Sequence, residues 1–299
     1  MSRAYSISVR KPYGKALVCK AWGVSRSTYY TRQKQAERGE KKRCGRRPLI
    51  SDERLIKEIR DVLKQAESLG FYGEGYRKVW ARLRFKGIRT SKERVRKLMR
   101  DNNLQAPHRV GKDRGPKVHD GTIIPIGPNI MWGTDATQVY TRKDGAVTVF
   151  VAIDHFVGDI VGIHAASRAT RYEALEPIYQ GIRDHFGSLD KNVADGLILR
   201  HDHGSQYMSR YFQDELKFLG IKSSPSFVKS PESNGVAERL IRTLKEQLLW
   251  VEYFDSVEEL QKALLEFKER YNNFWLLQRH VYQTPAQTRE RYQLDAEAA

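Results

Sequence analysis

Apolar residues recur at helical intervals through the first third of the chain and at strand intervals after Met131, which predicts all-α segments followed by an α/β layer. Between residues 12 and 36, Ala16, Leu17 and Ala21 precede a break at Gly23, and Ser25 then opens a second helical stretch carrying Tyr29 and Tyr30. A helix-turn-helix satisfies this pattern, with Ser25 as its cap and Arg26 and Thr28 directed outward from the second helix. A plain helical hairpin satisfies it too. Ser51 then caps a helix with Leu55, Ile56, Ile59, Val62, Leu63 and Ala66 on its apolar face, and Gly70 to Gly75 ends it. A helix with Val79, Trp80 and Leu83 follows. After Gly87, Thr90 and Glu93 predict a capping box for a third helix with Val95, Leu98 and Met99. The three together predict a second helix-turn-helix unit over 51–108.

From Met131 the texture changes. Val147 to Asp154 is a near-continuous apolar run, as expected of a strand covered on both faces, and Lys143-Asp144-Gly145 before it signals a hairpin turn. Ile160 to Ala165 reads as a third strand. A helix is expected at about 171–186, a short strand at Leu197–Leu199, a helix at about 208–219, a strand near Ile221–Ser224, and two long helices at about 233–252 and 257–273. Three antiparallel strands followed by alternating helix and strand describe a mixed α/β layer. The expected divisions are a helix-turn-helix segment at 1–40, a basic linker at 41–50, the helical unit at 51–108, a linker at 109–124, an α/β core at 125–286 and a tail at 287–299.

Composition narrows the partners. The longest apolar run, Ala146 to Ile153, is far shorter than the roughly 20 residues of a membrane span, and no secretory signal is expected, since no apolar stretch follows the first basic residues. Cys19 and Cys44 are the only cysteines, which argues against structural zinc or a disulfide framework and suits a reducing, cytoplasmic compartment. The net charge of +17 is uneven: residues 1–120 hold 33 Lys+Arg against 12 Asp+Glu, while the remainder is net acidic. The partner of the first 120 residues is therefore expected to be a polyanion, because Lys and Arg that neutralise phosphates release condensed counterions. Lys92, Arg94, Arg96 and Lys97 give the last helix of the second unit more cation than a structural helix needs, and DNA contact is expected there. The linker Lys41 to Pro48 can track a phosphate backbone or act as a solvated spacer.

Three carboxylates stand where burial is expected to be costly: Asp135 within a strand, Asp202 directly after one, and Glu238 early in an amphipathic helix. Salt bridges would satisfy them singly; a divalent cation would satisfy all three. In the last of these helices Val236, Leu240, Leu244 and Leu248 form the buried stripe, while Glu238, Arg242 and Lys245 share the opposite face. These are either ordinary i,i+4 surface pairs or a metal-facing acid beside cations that grip DNA.

Thr134-Asp135, His201-Asp202-His203-Gly204-Ser205-Gln206-Tyr207 and Asn234-Gly235-Val236-Ala237-Glu238-Arg239, with Lys245 seven residues on, resemble the DDE core of retroviral integrases and many bacterial transposases. Between Asp202 and Glu238 lie 35 residues, a hallmark spacing of that family. Tyr76-Arg77-Lys78-Val79-Trp80 and Arg94-Val95-Arg96-Lys97-Leu98-Met99 are similar to the domain that precedes this core in the second reading frame of the third insertion-sequence family. At Tyr271-Asn272-Asn273, Arg279-His280 and Thr284-Pro285-Ala286 the chain departs from many relatives, which place Arg-Pro-His closer to Tyr-Asn. No zipper-like heptad run occurs, whereas such elements often supply one from an upstream frame, as a frameshift fusion or a paired protein.

The resemblance implies a ribonuclease-H-like core with a mixed five-stranded sheet, behind all-α helix-turn-helix units. It implies a transposase that cleaves and transfers DNA strands with two Mg²⁺ ions, Mn²⁺ substituting, held by Asp135, Asp202 and Glu238. Arg242, Lys245, Arg26, Lys92, Arg94, Arg96 and Lys97 are the expected DNA contacts, and His201, His203, Gly204, Asn234 and Gly235 the supporting residues. Trp132, Tyr207 and Trp250 are expected to pack rather than stack on bases. The expected partners are double-stranded DNA at element ends and target and further copies of the chain on that DNA, at the bacterial nucleoid. The rivals are a catalytically silent DNA-binding regulator and a ribonuclease-H-type nuclease without joining.

Overall fold

The computed structural model describes residues 4–37, 48–107, 125–226 and 234–297. The expected linker over 109–124, most of that over 41–50, and Cys44 lie outside these residues. The chain divides into two compact units, 1–49 and 50–299. The first holds α1 (Gly14–Ala21) and α2 (Arg26–Glu37). Gly23 between them takes φ +62°, a left-handed conformation that costs glycine little. Ser25 Oγ accepts the Thr28 amide at 3.2 Å, the cap expected of it. Cys19 is buried on α1, while α2 buries no residue.

In the second unit α3 (Asp52–Ser68), α4 (Tyr76–Phe85) and α5 (Lys92–Asp101) pack around Leu55, Ile59, Val62, Val79, Leu83, Val95 and Met99. Ser51 caps α3 as expected. The Thr90–Glu93 capping box does not form: α5 starts one residue later, and Ser91 Oγ accepts the Arg94 amide at 3.2 Å. The Thr90 carbonyl instead accepts the Trp80 indole N–H at 2.9 Å, so tertiary contact decides the helix start.

Five strands follow: β1 (Met131–Thr141), β2 (Gly145–Asp154), β3 (Ile160–Ala166), β4 (Ile198–His201) and β5 (Lys222–Pro225). Their order is β3-β2-β1-β4-β5, with the first three antiparallel and β4 and β5 parallel to β1. This is the mixed five-stranded sheet expected of a ribonuclease-H-like core. The pleat sends Trp132 to one face, where Phe150, Val161 and α6 (Glu176–Phe186) build one core. Helices α7 (Ser205–Met208) and α8 (Arg210–Phe218) add Tyr207 and Phe212 to it. The other face carries Val149, Val151 and Ile163 against α9 (Gly235–Leu244) and α10 (Val257–Phe274). Gly162 lets α6 approach: a Cβ there would lie 1.8 Å from the Pro177 carbonyl oxygen.

Three expected helices are shorter than their patterns. α6 begins at Glu176 rather than near 171 because Pro177, lacking an N–H, fits only a first turn. The helix expected at 208–219 breaks at extended Ser209, whose Oγ caps α8 through the Phe212 amide. The helix expected over 233–252 is α-helical only to Leu244 and continues as a π-helical turn, Lys245–Leu249, in which Gln247, Leu248 and Leu249 are all buried. The expected tail is instead mostly helix: α11 spans Pro285–Glu297. Its Arg289 reaches Asp159 at 2.8 Å and Asp154 at 3.5 Å, fastening it to the β2–β3 loop. No described helix is long and apolar enough to cross a membrane.

Candidate functional site

Pleat alternation turns Asp135 toward the sheet face that α9 covers, opposite Trp132 and Ala136. It lies mid-strand, pairs in register with Val151, and its Oδ1 accepts the Ala136 amide at 2.8 Å. Gly133 pairs with Arg200 on β4, so Asp202 emerges two residues beyond Arg200 on the same side of the sheet. There Asp202 Oδ1 accepts the Gly204 amide at 2.8 Å, which bends the chain into α7. Glu238 stands in the first turn of α9.

These acids, from three separate elements, act on one another. The Asp135 carboxyl is pushed up to about 6, first by burial and then by the charges of Asp202 and Glu238, with the Ala136 amide and the Lys245 ammonium acting the other way. Burial is not shared as expected: Asp135 is half-buried, whereas Asp202 and Glu238 are exposed. Among the described residues no three His, Cys, Asp or Glu side chains stand close enough together to hold a metal ion, these acids included. The donor set fits a hard divalent cation. It offers only carboxylate oxygens, and mutual repulsion at Asp135 is what a cation relieves.

Asn234, buried just ahead of α9, donates from Nδ2 to the Thr134 carbonyl at 2.9 Å. Gly235 is the exposed first residue of the helix. His201 is buried on the far side of β4 from Arg200, stacked on Tyr207 at 5.6 Å, with Nε2 2.9 Å from Ser223 Oγ and Nδ1 2.6 Å from the Asp202 carbonyl oxygen. It fixes the backbone that carries Asp202. His203 is exposed.

The expected DNA contacts divide. Lys245 lies beside the acids, whereas Arg242 holds Glu246 at 3.0 Å. On α5, Lys97 is exposed, Lys92 lies 4.4 Å over the Trp80 ring, and Arg96 reaches Glu93 at 3.4 Å. Arg94 turns inward, donating from Nε to Asp52 at 2.9 Å and from Nη2 to the Ile50 carbonyl at 2.7 Å. Arg26 is exposed on α2 in the other unit. Trp132 and Tyr207 are fully buried as expected, but Trp250 is 70% exposed because the chain leaves the helical pitch at the π turn just before it.

Several residues near the site carried no motif signal. His155 Nε2 and Asn234 Oδ1 both lie over Gly133, at 2.4 and 2.7 Å from where a Cβ would stand, and Asn234 acts on the imidazole as a hydrogen-bonding neighbour. Arg200 is buried in the same region. Arg279 donates to the His155 carbonyl at 3.0 Å, and His280 Nε2 lies 2.8 Å from the Phe156 carbonyl oxygen. The departing C-terminal segment thus straps the turn after β2. Only its cluster of polar residues outside any periodic pattern could have flagged it.

Residues 51–112 match the family described as HTH-like domain, and residues 126–231 and 219–285 match two families described as Integrase core domain. The chain is 28% identical to the transposase for insertion sequence element IS629 of Shigella sonnei, over 95% of this chain and 94% of that protein. It is 30% identical to the transposase for insertion sequence element IS904 of Lactococcus lactis, over 62% of this chain and 75% of that protein. Among solved structures, the catalytic core domain of BIV integrase aligns at 22% identity, covering 57% of this chain and 97% of that one, with a TM-score of 0.41.

Proposed function

The chain belongs to the insertion-sequence transposases built on an integrase core, polynucleotidyl transferases that act on DNA, and from that premise we propose that Asp135, Asp202 and Glu238 are its catalytic acids. The observation that carries this reading is the placement of the acids: Asp135 on β1, Asp202 just beyond β4 beside it in the sheet, and Glu238 in the first turn of α9, whose start Asn234 ties to the Thr134 carbonyl. Integrase-type cores use divalent metal ions. Here the three carboxylates would hold two Mg²⁺, or Mn²⁺ in their place, which supply Lewis-acid stabilisation of the charge that develops on the transferring phosphoryl group.

The chain's own residues do the rest. Asp135, the most buried of the three, anchors the group from the rigid sheet, while Asp202 and Glu238 approach from a strand end and a helix. Lys245 places an ammonium beside them to hold a DNA phosphate. Cleavage joins a water oxygen to phosphorus and frees a 3′ hydroxyl. Strand transfer then joins that hydroxyl oxygen to a target phosphorus and frees the target's own 3′ hydroxyl. Duplex element ends and target are the substrates. Pairing two ends calls for at least two copies of the chain, which would act in the cytoplasm at the nucleoid.

Incubating the protein with element-end DNA and Mg²⁺ tests the reading. Cleavage and joining by the wild type, lost in Asp202→Asn, are the expected result. Binding without cleavage, or unchanged activity in the variant, would leave a DNA-binding regulator.

A further inference from the structure

The loop between α3 and α4 does not behave as a surface connection of a freestanding helical domain. Phe71 is buried in the same core as Leu240 and Leu244 of α9, with its ring 5.2 Å from Trp275 and edge-on to it. Arg270 of α10 donates to the Leu69 carbonyl at 3.4 Å and covers Gly70, which takes φ +73°. Arg82 holds Glu74 through two hydrogen bonds of 2.7 Å and reaches the Phe274 carbonyl at 3.3 Å.

One side chain joins this loop to the helix of Glu238 itself. Gln247 lies buried in the π-helical turn, two residues beyond Lys245. Its Oε1 accepts the Tyr72 amide at 2.7 Å and its Nε2 donates to the Tyr72 carbonyl at 3.1 Å. A single carboxamide thus pairs with both backbone groups of one residue, as two residues do across an antiparallel ladder. Two bonds fix rotation as well as distance, whereas the apolar contacts around Phe71 are non-directional. The π turn serves this contact, because it brings Gln247 into the buried set together with Leu248 and Leu249.

We infer that Gln247 is a positioning residue that sets where on an element end the strand is cut, by holding the DNA-contacting unit α3–α5 in fixed register with Glu238 and Lys245. The inference rests on the role proposed above for the acids and on the DNA contact expected of α5, where Lys97 is exposed. A merely structural Gln247 would differ in a measurable way. Its loss would lower the amount of active protein but leave every cut at the same phosphodiester.

The test uses full-length wild type, Gln247→Ala and Gln247→Met on labelled element-end duplex with Mg²⁺. Products are resolved to the nucleotide, and DNA affinity and melting temperature are measured alongside. Methionine keeps the volume and removes both hydrogen bonds, so it reports even where the alanine variant fails to fold. The expected result is end affinity within about twofold of wild type, kcat lower by about tenfold with KM little changed, and new cuts at neighbouring phosphodiesters. Cuts confined to the wild-type phosphodiester, at whatever rate, overturn the inference and leave the catalytic reading intact. A wild type that cuts nothing overturns both.

Discussion

Asn234 Nδ2 donates to the Thr134 carbonyl at 2.9 Å, so the start of the Glu238 helix is tied to the Asp135 strand at the residue just before that acid. The bond is buried, and Asn234 makes it with its side chain instead of capping its own helix. Asn234→Ala is therefore expected to lower stability by about 1–2 kcal/mol. Cleavage of element-end DNA should fall by about ten- to a hundredfold, as for residues that orient ligands without touching the reaction. Rates measured beside DNA affinity check this. Unchanged turnover with unchanged affinity would sink the positioning role.

The crowding of carboxylates around Asp135 has a consequence for metal binding. At pH 7 its ionisation costs the metal-free fold about 2–3 kcal/mol, given a carboxyl pushed up to about 6. Asp135→Asn removes that cost along with a ligand. Without metal the variant is expected to melt at or above the wild-type temperature. Added Mg²⁺ should raise the melting temperature of the wild type and leave the variant unmoved, since only a bound ion shifts the folding equilibrium. Differential scanning calorimetry with and without EDTA checks both, and a variant that Mg²⁺ still stabilises would remove Asp135 from the ligand set.

The proposed acids drew notice because Asp135 falls inside a strand, Asp202 follows one and Glu238 opens the polar face of a helix whose stripe of Leu240, Leu244 and Leu248 is buried, with 35 residues between the last two acids. The order of strands was legible only in part, since β4 pairs with β1 across more than 50 intervening residues and no local pattern encodes that. Gln247, His155 and Arg200 were invisible for a related reason. A buried polar residue betrays itself by its partner, and the partner of Gln247 is the backbone of Tyr72, 175 residues away. Arg94 shows the converse: a cation on a basic helix reads as a DNA contact from sequence, and its pairing with Asp52, 42 residues away, carries no local signal.

Acid should loosen the core. Burial, helped by Arg200 and Arg279 at one site and Arg289 at the other, lowers His155 and His185 to about 4. His201 and His280 are lowered as well, again mainly by burial. A histidine with a lowered folded pKa contributes stability above its unfolded value near 6.5 and loses it as pH falls toward 4. His155 and His185 are each worth on the order of 2–3 kcal/mol across that window. Asp135 opposes them between about 4 and 6, and Asp154, raised by burial and by Asp159, acts in the same direction, but as two groups against four. Denaturant midpoints should thus fall from pH 6.5 to 4, and His185→Gln should flatten the slope. A midpoint constant over this range would contradict the assignment.

The cations of α5 can be sorted by their partners. Arg94 is half-buried and spends its donors on Asp52 and the Ile50 carbonyl, while Lys97 stands exposed one turn further on. Arg94→Ala strips Asp52 of this partner and loosens the start of α3, so it is expected to lower the melting temperature, with a loss of about 1–3 kcal/mol. Lys97→Ala leaves the fold as it is. If Lys97 meets a phosphate, its removal should weaken DNA binding by a similar factor on every sequence and reduce the slope of log affinity against log salt by about one. Melting curves and salt titrations on both variants separate the two roles. An Arg94→Ala protein that melts like wild type yet no longer binds DNA would return Arg94 to the DNA-contacting face, and Asp52 would then be only its resting place between encounters.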